Sequence, residues 1–143
     1  MLLRFQPPHR TVTNLNDSGT GSLRELISIS ADNDTINFDV TGTITLTSGE
    51  LAIAKNLTVS GPGANVLTVR RAAGVNTPEF RIFFIGNGAN FSISNLTIRN
   101  GHDYNSGAIY NDGATLTVNN CVFTANFCWW LWWRRYYERR FER

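Results

Sequence analysis

Few residues in this chain could do acid–base chemistry, and they are scattered. Asp103 and Asp112 fall around one predicted corner with Arg99 nearby, the closest approach to the carboxylates and cation that polysaccharide cleavage needs on one exposed face. Neither has a second acid two residues away, the spacing that aims both side chains outward from one strand. Asp32-Asn33-Asp34 offers oxygens to Ca²⁺, but that ion takes about six to eight oxygen ligands, so the tripeptide reads as a helix-ending turn. His9 and His102 lie far apart without metal partners and read as surface residues. Asn56-Leu-Thr58, Asn90-Phe-Ser92 and Asn95-Leu-Thr97 fit the glycosylation sequon, which corner asparagines ahead of Thr-rich strands produce by themselves. These residues predict no catalytic site, no metal and no cofactor.

The elements that would position them are strands. Between Thr11 and Asn126 the chain is crowded with Thr, Ser, Asn and Gly, which suit strands and tight turns over helices. With 143 residues and 42% hydrophobic content it can bury one continuous core. Residues 1–126 carry eight Lys and Arg against nine Asp and Glu, whereas residues 127–143 carry five Arg against two Glu. A near-neutral body without a basic patch argues against a nucleic-acid partner. The first residues lack a signal-peptide apolar run, and no stretch has the length of a membrane helix.

An internal repeat organises the body. Residues 80–101 align with residues 105–126 without a gap at a spacing of 25, which sets Phe84 on Ile109, Phe91 on Leu116, Ile93 on Val118, Asn95 on Asn120, Leu96 on Cys121 and Ile98 on Phe123. An earlier copy, Ile44 to Gly61, fits the same template through Leu51, Ile53, Asn56, Leu57 and Val59 with one residue inserted. Apolar residues recur in pairs such as Phe91-x-Ile93 and Leu96-x-Ile98, the period of very short strands. Such a unit buries its apolar face only by stacking on its neighbours, and equivalent strands then run parallel. The fold expected is all-β: a right-handed parallel β-helix (β-solenoid) of about three to four coils. Ile53, Leu57, Ile93, Leu96, Ile98, Val118 and Cys121 should share one core, which makes Cys121 a buried thiol and not a disulfide partner of Cys128. Asn56, Asn95 and Asn120 should stack in one corner ladder.

Domain boundaries follow. Residues 1–10 are an N-terminal extension. Residues 11–42 hold an entry strand, a turn at 14–21, a short capping helix opened by the capping box Ser22-Leu-Arg-Glu25, and a first strand. Its Leu23, Leu26 and Ile27 form an apolar stripe suited to closing the open end of the core. Residues 43–126 are the coils, with a loop excursion at 61–79, the kind of place where solenoids carry recognition.

The run Thr11-Val-Thr-Asn-Leu-Asn-Asp-Ser-Gly-Thr-Gly-Ser-Leu-Arg-Glu-Leu-Ile27 resembles the entry segment of bacterial surface proteins with a CSLREA-type motif ahead of a β-helix. Ser106-Gly-Ala-Ile109 and Phe123-Thr-Ala-Asn126 resemble the paired GGA[ILV] and FxxN repeats of chlamydial polymorphic outer membrane proteins, with Ser106 in place of the first glycine. The resemblance implies a non-catalytic structural or adhesin-like repeat segment of a cell-surface or secreted protein. Carbohydrate or a host or cell-surface protein is the implied partner. The alternative is a vestigial polysaccharide-active, pectin-lyase-like β-helix.

Residues 127–143 break with the body: Phe127-Cys-Trp-Trp-Leu-Trp-Trp-Arg-Arg-Tyr-Tyr-Glu-Arg-Arg-Phe-Glu-Arg143. Membrane association, if any, would run through this tail, and self-association through this end of the stack. A third reading is a slipped frame. Tryptophan has one codon, and a one-base shift of a permitted coding of Trp129 to Tyr137 gives Gly-Gly-Cys-Gly-Gly-Gly-Gly-Ile, the start of a further coil. On that expectation the chain is a truncated β-helix.

Overall fold

In the computed structural model, which describes residues 9–130, short strands wind into stacked coils. The first turn has β1 (His9–Val12) and then a helix, α1 (Leu23–Ile29). The second has β2 (Asp34–Phe38), β3 (Gly42–Leu46) and β4 (Leu51–Ile53), and the third β5 (Leu57–Ser60), β6 (Leu67–Arg71) and β7 (Phe83–Ile85). The fourth has β8 (Asn90–Ser94), β9 (Thr97–Arg99), β10 (His102–Asp103) and β11 (Ile109–Asn111), and the fifth β12 (Thr115–Asn119), β13 (Val122–Thr124) and β14 (Phe127–Cys128). The sheets run β1-β2-β5-β8-β12, β3-β6-β9-β13, β4-β7-β11 and β10-β14, every named pair parallel. This is the parallel β-helix that the repeat predicts. The first sheet shows five turns instead of three to four, because β1 and β2 also stack although their sequences do not match the template.

Alternation fills the core. Ile36, Val59, Ile93 and Val118 lie in one inward column, and Leu57, Phe91 and Leu116 in the next. Ile53, Leu57, Ile93, Leu96 and Ile98 are at most 2% exposed. Val118 departs from expectation at 38% exposed, and Cys121 is half-buried. Both belong to the fifth turn, where no described strand stacks beyond β12 and β13, so residues with inward phase stay open to solvent.

The register corrects the alignment. Ile109 pairs with Phe83, not Phe84, because the link from β11 to β12 is one residue shorter than that from β7 to β8. Leu51 and Ile53 stack on Phe83 and Ile85, and Leu57 and Val59 on Phe91 and Ile93. Each coil holds several interchangeable apolar-x-apolar pairs, so a gapped alignment can slide by one strand.

Asn56 therefore leaves the ladder. Asn95 and Asn120 do share a corner, both left-handed at φ of 56° and 50°, where Asn is tolerated, and the Asn95 N–H donates to the Asn119 carbonyl at 3.1 Å. Asn56 instead belongs to a side-chain ladder at the mouth of the first sheet. Its N–H donates to Asp32 Oδ1 and its own Oδ1 accepts from the Asn90 N–H, each at 2.9 Å.

The boundaries also move. His9 and Arg10 lie in β1, not in an extension. The 61–79 excursion contains β6, an integral strand between β3 and β9, so what swells outward is the 61–66 link and the 72–82 loop. Phe127 and Cys128 continue the stack, paired with His102 and Asp103. Residues 131–143 lie outside the described residues, so the membrane and frame readings of the tail do too.

Two coil contacts give physical meaning to the tetrapeptides. Asn126 Oδ1 accepts from the Gly101 N–H and its Nδ2 donates to the Ile98 carbonyl, both at 2.9 Å, so the Asn that ends Phe123-Thr-Ala-Asn126 closes the corner of the preceding coil. Gly107 is buried where an added Cβ would fall 2.5 Å from the Phe127 carbonyl oxygen and 2.6 Å from that of Gly101. Gly107→Ala should therefore push coils apart and cost about 1–3 kcal/mol in urea unfolding. A loss below about 0.5 kcal/mol would mean the contact yields freely.

Candidate functional site

The predicted trio does not assemble: among the described residues none of Asp103, Asp112 and Arg99 is bonded or ion-paired to another. Arg99 and Asp112 are exposed. Asp103 turns to Arg81, at the end of the 72–82 loop, whose Nη2 lies 2.9 Å from Asp103 Oδ2. Arg81 Nε also lies 3.1 Å from that oxygen and 2.9 Å from Glu50 Oε2. Because both oxygens lie against one nitrogen, they are no more than about 6 Å apart. The Arg81 guanidinium carbon sits 5.0 Å from the Tyr110 ring centroid and 5.9 Å from that of Phe84, and these two rings stack at 5.9 Å with a 10° tilt.

β10 presents Asp103, the register of β7 with β11 sets Phe84 beside Tyr110, and the link after β3 presents Glu50. Two carboxylates, a cation and an aromatic pair thus meet across three coils. The signal was out of reach of spacing alone, since Glu50 and Asp103 meet only through stacking. Chemically the cluster is one cation shared by two acids, one charge short of neutral, and because Arg81 contacts both acids neither stands free as a general base beside a free general acid. Arg81→Gln should leave two carboxylates facing each other and destabilise the fold by about 1 kcal/mol at pH 7. Urea unfolding at low and high salt checks it: a deficit that added salt leaves unchanged would mean that packing dominates.

Other candidates resolve structurally. Asp34 is fully buried and pairs with Arg10 at 2.8 Å. That bond and one from the Ala31 N–H hold its carboxyl below the usual range, and the remaining oxygen has no hydrogen-bond partner among the described residues. Asp32 holds the ladder, and Asn33 takes φ of 68°, so Asp32-Asn33-Asp34 is the turn that the sequence predicts. No cluster of three His, Cys, Asp or Glu suited to a metal occurs among the described residues. His102 is half-buried. It packs against Phe127 at 5.1 Å and Trp129 at 5.2 Å, with Nδ1 3.9 Å from Glu79. Both cysteines are free thiols.

No described helix is long and apolar enough to cross a membrane. No family model matches the chain, and no curated protein or solved structure matches it either.

Proposed function

We propose that the chain is a non-catalytic structural or adhesin-like β-helix segment of a bacterial cell-surface or secreted protein. The observation that carries this reading is the Glu50–Arg81–Asp103 bridge, in which the acids that could work as a pair instead tie three coils together. The entry motif and the corner motifs support it as well, since their residues act in the lid and the corners of a stack. Recognition of carbohydrate or of a host protein would fall on the 72–82 loop, and self-association on the fifth turn, where Val118, Val122, Phe123 and Phe127 are all exposed.

The second reading, a vestigial polysaccharide-active β-helix, draws on the same cluster, because two acids and an arginine beside aromatic rings suit a sugar chain. Incubation with acidic plant and bacterial polysaccharides, with and without Ca²⁺, separates the two. A scaffold yields no unsaturated, ultraviolet-absorbing ends and no new reducing ends. Turnover abolished by Asp103→Asn would overturn the scaffold reading.

A further inference from the structure

We propose that the outer face of the first sheet binds the surface of an ice crystal, through two columns of short hydroxyl and amide side chains held at a fixed repeat. In-register pairing lines up Thr35, Thr58, Ser92 and Thr117 from β2, β5, β8 and β12. Two residues further along the same strands stand Asn37, Ser60, Ser94 and Asn119. Both columns alternate with core residues such as Val59, Phe91 and Ile93, so these side chains point outward, exposed on β12 and half-buried on the other strands.

The coils set the repeat. Stacked strands lie about 4.8 Å apart, and residues two apart on a parallel strand about 6.6 Å. The result is a near-rectangular grid, close to that of the oxygen rows on a prism face of ice. Ice and liquid water are the same molecule, so position alone can distinguish them: a side chain recognises ice when it holds water where the lattice needs it. Short side chains suit this because they have little rotamer freedom to lose, and β-branched Thr is stiff at χ1.

These groups are also unspent. The Asn37 amide meets His9 at 3.3 Å, but the other side chains of the two columns make no hydrogen bond among the described residues. Hydroxyls elsewhere are engaged, as where Thr97 donates to the Ala64 carbonyl at 2.6 Å and Ser48 to Asp17 at 2.7 Å. Neither column holds a charged or aromatic side chain. A charged polymer would be drawn by charge, and a sugar chain by rings against its C–H faces or an arginine for its acid groups. A neutral, periodic field of hydroxyls fits a water lattice better than either.

The proposal goes beyond the scaffold reading and does not rest on it. The test grows ice slowly from a dilute solution of the full chain beside an unrelated protein of similar size. The chain should be enriched in the ice and facet the crystals, while the control is rejected into the liquid. Thr58→Tyr and Ser92→Lys, in the middle of one column, should each cut the enrichment about tenfold. Their melting temperatures should stay within a few degrees, since both positions face outward. Thr43→Tyr, exposed on the second sheet, should change nothing. Rejection of the wild-type chain from ice, full enrichment of the folded column variants, or an equal loss in Thr43→Tyr would each overturn the proposal. So would retention on crystalline cellulose or chitin without enrichment in ice, which would assign the face to a neutral polysaccharide.

Discussion

Leu96→Ala should cost about 2–5 kcal/mol, whereas Val118→Ala should cost about 1 kcal/mol or less. Both residues have inward phase in the coils, and the difference comes from what stacks above them. Leu96 turns the corner between β8 and β9 at 0% exposed, with turns on either side, so its truncation leaves a cavity that the coils cannot collapse to fill. Val118 lies one coil on from Ile93, in the last described strand of its sheet, and is 38% exposed, so much of its methyl surface is already in water. A domain of this size commonly has about 5–15 kcal/mol of stability in all, so Leu96→Ala alone could bring it close to unfolding at ambient temperature. Urea titration of both variants checks the gap. Near-equal costs would mean that the fifth turn is covered in solution, and a Leu96 cost below about 0.5 kcal/mol would mean that the corner faces water.

The contrast also marks where the sequence stops being informative. Period-two apolar pairs specify strands, and their recurrence specifies parallel stacking, so the architecture and most of the core were legible. Register was not, because Leu51-x-Ile53, Leu57-x-Val59 and Phe91-x-Ile93 are chemically alike and only link lengths tell them apart. Asn56 illustrates the consequence: it sits before an inward residue as Asn95 does, yet its coil equivalents are Asn33 and Asn90. The candidate site fails for the same reason. Glu50, Arg81 and Asp103 belong to three coils, and the insertion at 72–82 breaks the constant spacing that would have aligned them. The aromatic cluster was hidden differently: His102 has no sequence neighbour that marks it, and Phe127 and Trp129 belong to a segment whose composition sets it apart from the repeats.

The entry motif was legible as a helix start but not as a lock, and the lock gives a large effect that depends on pH. Ser22 caps α1 by accepting from the Glu25 N–H at 3.2 Å, while Glu25 reaches back to the Gly21 N–H at 2.6 Å. Arg24 points the other way: its Nη1 and Nη2 donate to the Glu50 and Gly49 carbonyls at 2.8 and 2.7 Å, and Nη2 holds Asp17 Oδ1 at 2.8 Å. Asp17 Oδ2 then accepts from the N–H and hydroxyl of both Thr47 and Ser48, at 2.7–3.0 Å. One carboxylate and one guanidinium thereby fasten the entry turn and the helical lid to the link between β3 and β4. Burial pushes the Asp17 carboxyl up, but the bonds from Arg24, Ser48 and Thr47 outweigh it and hold the group far below the ordinary carboxylate range.

A depressed folded pKa means that the ionised carboxylate adds stability above its unfolded pKa of about 4, and that this stability is lost only as pH falls towards the folded value. Asp17→Asn keeps the shape but turns an acceptor-only group into one that also donates, facing four donors, and it strips Arg24 of its counter-charge. At pH 7 the variant should be less stable by about 2–4 kcal/mol. That is roughly 4–16 °C in melting temperature for a chain of this length. Lowering the pH from 7 to 2 should narrow the gap, because below about pH 4 the unfolded wild-type chain takes up a proton at Asp17 while the folded chain still holds the charge, whereas Asp112→Asn, at an exposed carboxylate with no bond among the described residues, should show little gap at pH 7. Thermal melts of the three proteins at pH 7, 4 and 2 decide it: a gap below about 0.5 kcal/mol at pH 7, or one that widens in acid, would show that α1 and the coils hold the end of the core closed without Asp17.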